Sequence, residues 1–311
     1  MRRTLKDYAM LAVKGVCMGA ADVVPGVSGG TIAFISGIYE ELIYSIKCID
    51  REALRLLFTG SFRAFWKSIN GNFLFSLLCG ILFSIVALVK AITYLLDHEP
   101  VLLWSFFFGL VLASSVTVCR TIEQRSWDRW VAFAIGTIAA YLITAATPAE
   151  TPNGLWFIFL CGAIAICAMI LPGISGSFIL LLMGKYSYIM ETVKNIISGV
   201  DPGANLLIVA TFAVGALIGI VSFSNLLVWL LSRWHDLTIA LLGGFMFGSL
   251  NKIWPWKEVV ETYVNSHGEI KPLVEVNIAP NAQVLPAVLL ALVGFAVVVV
   301  IEYVAARGKR S

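Results

Sequence analysis

Pro25-Gly26-Val27-Ser28-Gly29-Gly30-Thr31-Ile32 returns 147 residues later as Pro172-Gly173-Ile174-Ser175-Gly176-Ser177-Phe178-Ile179. The register holds through Gly37 and Gly184 to Tyr39 and Tyr186, with seven of fifteen positions identical. Neither copy can sit inside a continuous helix. Proline removes a backbone donor and clashes with the preceding turn, and the glycines disfavour the helix further. A second match lies at offset 135, where Gly80 pairs with Gly215, Ile85-Val86 with Ile220-Val221, Gly109 with Gly244 and Ser114 with Ser249. The chain therefore reads as a duplicated unit. The first copy carries 12 extra residues near 49–70, where Arg51, Arg55, Arg63 and Lys67 accompany Leu54, Leu57, Phe58, Phe62 and Trp66. That mixture suggests a helix lying in the membrane interface.

The solvent of the fold follows from composition. Of 311 residues 59% are hydrophobic and 13% charged, against about 45–50% and roughly 25% in soluble domains. Ala134–Ala146, Leu206–Leu231 and Leu285–Val300 are nearly free of charge, and about 20 such residues span a bilayer core. A transmembrane barrel would alternate polar and apolar residues, which these runs do not. A net charge of +3 with no basic cluster among aromatics excludes nucleic acid as a partner. Six cysteines without a Cys-x-x-Cys pair, and three histidines, point away from zinc and from a disulfide framework. No cofactor is expected. The basic N-terminus is read as retained, because Lys14 interrupts its apolar stretch.

The expected fold is an all-α polytopic membrane protein of two inverted-topology repeats, 1–147 and 148–311. Each has about five helical segments and begins with a broken or re-entrant helix pair. The segments fall near 5–21, 29–48, 72–97, 101–120 and 127–147, then 154–171, 176–197, 204–232, 236–254 and 282–306. A hydrophilic outer loop near 255–281 carries no readable motif. With the N-terminus inside, fifteen basic residues fall inside (Arg2, Arg3, Lys6, Lys47, Arg51, Arg55, Arg63, Lys67, Arg120, Arg125, Arg129, Arg233, Arg307, Lys309, Arg310). Five fall outside (Lys185, Lys194, Lys252, Lys257, Lys271), which places both termini in the cytoplasm. An odd number of crossings per unit inverts the second copy. Trp104, Trp127, Trp130, Trp156, Trp234, Trp254 and Trp256 fall near helix ends, as an aromatic belt would.

Inverted repeats with interrupted helices are a transporter architecture, with cargo bound near the midplane. Each turn starts a half-helix whose first N–H groups lack partners and whose dipole favours an anion, phosphate above all. The candidate phosphate-binding residues are Gly26, Val27, Ser28, Gly29, Gly30, Thr31, Gly173, Ile174, Ser175, Gly176 and Ser177, with Lys14 as an added cation. Close helix packing or simple capping would use the same residues. Asp22 could hold Lys14, cap a helix or carry a coupling proton, and Lys90 faces a cavity or a neighbouring helix. Glu40, Glu41 and Glu191 either line an entrance or sit on solvated helix ends. Asp22, Glu40, Glu41 and Lys90 are the candidates for coupling or gating, with a proton or sodium ion as the coupled species.

Residues 18–33, MGAADVVPGVSGGTIA, closely resemble the first signature of the bacterial polyprenyl-phosphate transporter family, and Leu171-Pro-Gly-Ile-Ser-Gly-Ser resembles its second. The resemblance covers nearly the whole chain. It implies return of undecaprenyl phosphate from the outer to the inner leaflet of the bacterial cytoplasmic membrane, for reuse in cell-envelope and peptidoglycan synthesis. It carries over at Gly26, Ser28, Gly29, Gly173, Ser175 and Gly176; Asp22 also matches, without an acidic counterpart in the second copy. Polyprenyl phosphate and membrane lipids are then the expected partners. Two other readings stay open on the residues alone. One is a transporter of a small soluble anion. The other is an intramembrane serine protease of rhomboid type, from Gly26-Val27-Ser28-Gly29, although His98, His235 and His267 fall at segment ends or in a loop.

Overall fold

The computed structural model describes residues 3–23, 27–121, 126–149, 151–264 and 270–308. Pro25 and Gly26 of the first turn lie outside the described residues, as do Arg2, Arg125, Lys309, Arg310 and His267. The chain runs α1 (Leu5–Val23), α2 (Gly29–Ile35), α3 (Tyr39–Lys47), α4 (Arg51–Phe58), α5 (Phe62–Ser68), α6 (Gly71–His98), α7 (Pro100–Thr121) and α8 (Trp127–Ala145). It continues through α9 (Leu155–Ile170), α10 (Gly176–Leu182), α11 (Tyr186–Ile197), α12 (Pro202–Arg233) and α13 (His235–Ser249). A hairpin of β1 (Lys257–Val264) and β2 (Ile270–Asn277) precedes α14 (Val284–Gly308).

Four stretches are long and apolar enough to cross a bilayer among the described residues: Gly71–Leu88, Pro100–Arg120, Pro202–Arg233 and Val284–Ile301. They and their neighbours expose Phe83, Val86, Leu142, Leu217 and Leu292, a surface that lipid tails rather than water must cover. This is a multi-pass membrane protein. Its centre is α13, where Thr238, Ile239, Leu242, Gly243, Met246 and Ser249 are all buried.

Lipid tails give helices no hydrophobic reason to associate, so close backbone approach must supply the attraction. Four helix pairs achieve it in the same way. In α1 and α6, a side chain on Gly15 would strike Leu77 O and one on Gly80 would strike Ala12 O. In α9 and α12, Gly162 faces Phe212 O and Gly215 faces Phe159 O. Gly109 and Gly294 join α7 to α14, while Gly136 and Gly244 join α8 to α13, against Ala291 O, Phe106 O, Leu241 O and Phe133 O respectively. In every case the carbonyl belongs to the residue three before the partner glycine. The register also has a direction. Gly15 faces Leu77 and Gly19 faces Ile81, so α1 and α6 run the same way; Gly162 with Phe212 and Gly219 with Ala163 indicate the same for α9 and α12.

Four expectations are corrected. The single helices expected at 29–48 and 176–197 are each two, because Gly37 (φ +69°) and Gly184 (φ +61°) adopt the left-handed conformation that ends a helix. Ile38 N–H then bonds Ala33 O and Lys185 N–H bonds Leu180 O, the same closure in both copies. The interfacial segment is likewise two helices, α4 and α5, broken at Gly60 (φ +76°) and exposing Leu54, Phe58 and Phe62. The outer loop is not structureless and the fold is not purely helical: Val259, Val260, Thr262 and Val274 favour the strands of the hairpin. Trp104 and Trp256 are buried in protein rather than set in a belt, whereas Trp127, Trp130, Trp156 and Trp234 are exposed at helix ends.

Candidate functional site

The chain reverses at each Pro-Gly-x-Ser-Gly turn. On the first, Asp22 of α1 accepts from Gly29 N at the start of α2 (2.6 Å), while Lys14 Nζ donates to Ser36 O at its far end (2.7 Å). Positions 22 with 29 and 14 with 36 define a helical hairpin. On the second, Gly176 lies against Ala165 O and Met169 of α9.

The two turns meet. Gly173 N donates to Thr31 Oγ1 at 2.9 Å, and Thr31 is fully buried. Ser28 Oγ donates to Met169 O and Leu171 O at 3.3 and 3.4 Å, long for a hydroxyl bond and correspondingly weak. Gly30 allows this approach, since a Cβ there would lie 2.9 Å from Ile170 O. Gly173 has no substitute: its φ is +95° and a Cβ would come within 3.0 Å of Met246 Cα. Val27 and Ile174 are buried beside these groups.

The turns differ in what their donors hold. At α2, Gly29 N is taken by Asp22, Gly30 N by Ser28 Oγ (3.1 Å) and Thr31 N by Ser28 O (2.9 Å). The first turn of that helix is internally satisfied, with a carboxylate where an anion would sit. At α10, Ser175 makes no side-chain cap and its hydroxyl instead pairs with Ser177 Oγ at 2.7 Å. Gly176 N and Ser177 N have no partner among the described residues, and Ser177 is exposed.

The other candidates lie elsewhere. Lys14, at the opposite end of α2, caps a carbonyl and is not brought to the turns. Lys90 is exposed on the last third of α6, placed for its head to reach the interface. Glu41 is held by Arg3 through two hydrogen bonds and by Asn70 (2.8 Å). Glu40 pairs with His235 Nε2 at 3.0 Å, and Glu191 is exposed. His98 stacks on Tyr94 at 4.1 Å. Sequence reasoning missed Lys185, buried by α10 with Nζ on Thr151 O and Asn153 Oδ1, both at 2.8 Å. It also missed Lys252, Lys257 and Glu275 around the hairpin, where the Val259-Val260 pair among charged residues was the available signal.

Fold and site together define a membrane-embedded helical protein in which two like turns from distant parts of the chain are bonded to each other in the interior. That is the setting of a transporter. A family model described as "VCA0040-like: Undecaprenyl phosphate translocase-like" matches residues 18–271, spanning both turns, and the chain belongs to this family. It is similar to the polyprenyl-phosphate transporter of Vibrio cholerae serotype O1, 47% identical over 274 residues, 88% of this chain and 86% of the relative. It is also 30% identical to the polyprenyl-phosphate transporter of Staphylococcus aureus over 255 residues, 78% of this chain and 85% of the relative. No solved structure matches the chain. The family is one of transporters, not enzymes.

Proposed function

We propose that the chain carries polyprenyl phosphate, undecaprenyl phosphate in particular, from the outer to the inner leaflet of the cytoplasmic membrane, so that the lipid carrier re-enters envelope synthesis. The family supplies the substrate class. The observation that carries the mechanism is the bonded meeting of the two turns, Gly173 N on Thr31 Oγ1.

On this reading the chain is two inverted repeats, 1–147 and 148–311, each opening with a re-entrant pair and with both termini cytoplasmic. The equivalent glycines at the α1–α6 and α9–α12 crossings support the duplication, as does the exchange of α7–α14 for α8–α13. Parallel α1 and α6 support re-entrance: α1 rises, α2 returns, and α6 starts again from the face where α1 began. A lipid phosphate needs a polar route for its head while its tail stays in the bilayer. The open donors Gly176 N and Ser177 N, with the hydroxyls of Ser175 and Ser177, are the receiving half of that route. Val27, Ser28, Gly29, Gly30 and Thr31, with Gly173 and Ile174, form its opposing wall, and Gly26 belongs there by sequence. Asp22 occupies the first turn as a resident carboxylate, so the two halves do different work, and a proton on Asp22 is one means of coupling.

The test is uptake of fluorescent polyprenyl phosphate across proteoliposome leaflets. Ser175 and Ser177 replaced together by valine should abolish uptake in a protein that still purifies as a single species. Unchanged uptake in that variant would remove the turns from the route.

A further inference from the structure

Beneath the hairpin lies a cavity of about 300 Å³, walled by the end of α8, one side of α10, the residues after α13 and β2. That volume is at the small end of ligand sites, about 300–1,000 Å³. Lys252 and Lys257 line it, and both ammonium groups donate to one carboxylate oxygen, Glu275 Oε2, at 3.2 and 3.4 Å. The side chains are 16%, 7% and 19% exposed. Among the described residues Glu275 is the one carboxylate paired with these two ammonium groups, a set with one more positive than negative charge, which is costly in a low-dielectric setting. Aromatic faces moderate that cost without neutralising it: Lys257 Nζ is 3.8 Å from the Trp104 centroid and Lys252 Nζ 4.9 Å from that of Phe178. Burial holds Lys257 down to about 8 against the pull of Glu275.

Phe178 connects the cavity to the turns. It stands in α10, whose first residues are the open Gly176 and Ser177 and whose Leu181 and Leu182 line the cavity. At 1.5 Å per residue, the helix covers the step from turn to cavity in roughly 10 Å.

We infer that this cavity is a docking site for a phosphate monoester dianion, held by Lys252 and Lys257 in competition with Glu275, from which the headgroup passes along α10 to the second turn. This rests on the transport reading above. One charge of the dianion neutralises the trio and the second opposes Glu275, which is why the two compete for the ammonium groups; charge-assisted contacts of that kind are the strong ones.

Binding to the purified full chain in nanodiscs decides it, with farnesyl phosphate, inorganic phosphate and farnesol as probes. Lys252→Gln and Lys257→Gln should each weaken farnesyl phosphate roughly tenfold, the loss of about one charge-assisted contact. Glu275→Gln, which removes the competitor, should tighten it, and farnesol should not bind here. Lys252→Arg should restore binding, which guards against a variant that merely misfolds. Inorganic phosphate with the same dependence on the three residues would uphold the site for free phosphate as its source. If the wild type binds farnesyl phosphate and all three Gln variants bind it equally, the trio is only an ion network pinning the hairpin and the proposal is overturned. Absence of farnesyl phosphate binding alongside lysine-dependent phosphate binding would instead overturn the transport reading and leave the site. No binding of either anion overturns both.

Discussion

Replacing Thr31 by valine tests the junction on which the site depends. Valine matches threonine in shape, so no cavity opens at a position that is fully buried. What is lost is the acceptor for Gly173 N–H, now bonded at 2.9 Å. Leaving a buried donor without a partner costs about 1–3 kcal/mol. Hydrogen bonds between membrane helices measure lower, averaging about 0.6 and reaching about 1.7 kcal/mol. Gly173 has little room to shift toward another acceptor, since it packs so closely that even a Cβ would lie 2.9 Å from Ser249 Oγ and 3.0 Å from Met246 Cα. The upper part of the membrane range is therefore expected, about 1.5 kcal/mol. Chemical unfolding in detergent should show that loss for Thr31→Val and almost none for Thr31→Ser, which keeps the hydroxyl. Polyprenyl phosphate uptake should fall with valine and survive with serine. A double variant with Ser28→Ala should be non-additive, because both side chains hold the start of α2 against the second turn. Valine and serine variants of equal stability would refute the claim that this bond joins the turns.

Four further outcomes rest on the packing and the charges of the fold. Gly80→Leu should prevent accumulation of folded protein, because its side chain would drive into Ala12 O at the α1–α6 crossing. Gly203→Ala, on α12 with nothing within 4 Å, should be neutral or slightly stabilising; size-exclusion profiles of the two would separate them. Lys185→Met should cost about 1–3 kcal/mol in chemical unfolding, since it takes the charged donor from Thr151 O, whereas the exposed Asn153 Oδ1 can turn to water. For Lys257, burial lowers the value to about 8 from 10.5, with Glu275 and Lys252 the charged groups that face it and Trp104 beneath. The unfolded chain then holds more protons between about pH 8 and 10.5, so ligand-free stability should rise with pH across that window, whereas anion binding should fall. The melting temperature without phosphate should rise across that window while the increment that phosphate adds shrinks; an increment independent of pH would contradict the assignment.

What the sequence disclosed was whatever repeats or runs. Apolar runs announced the membrane, and Pro-Gly-x-Ser-Gly twice at one register announced two breaks, because proline and clustered glycine act locally. The second break in each pair, at Gly37 and Gly184, is present in the same alignment, but the apolar stretch around it still predicts one helix. A lone glycine within an apolar stretch does not reveal its φ. The hairpin was missed for a different reason. Its strands are held by pairing across the chain, Val259 with Glu275 and Thr262 with Pro272, and the Lys252–Glu275–Lys257 cluster exists only once that pairing is made. Lys14 and Asp22 illustrate the same limit. Both look like unpaired charges at membrane depth, and each proves to be satisfied by backbone of α2, one at either end.

Asp22 also bears on why two like turns need not act alike. A helix start that already holds a carboxylate and a serine hydroxyl has no free donor for a second anion, and adding phosphate beside Asp22 would set like charges together. The α10 start has no such acid, because the position equivalent to Asp22 in the offset of 147 is Met169. Two turns alike in sequence thus meet in the interior, and one difference between them, Asp22 against Met169, leaves one helix start occupied and the other open. Asp22→Ala should free Gly29 N and remove the charge together. If Asp22 is what closes the first turn to phosphate, the alanine variant should bind inorganic phosphate more tightly than the protein with Asp22, in a background where Ser175 and Ser177 are both replaced by valine. If affinity in that background is unchanged, Asp22 is a cap and no more.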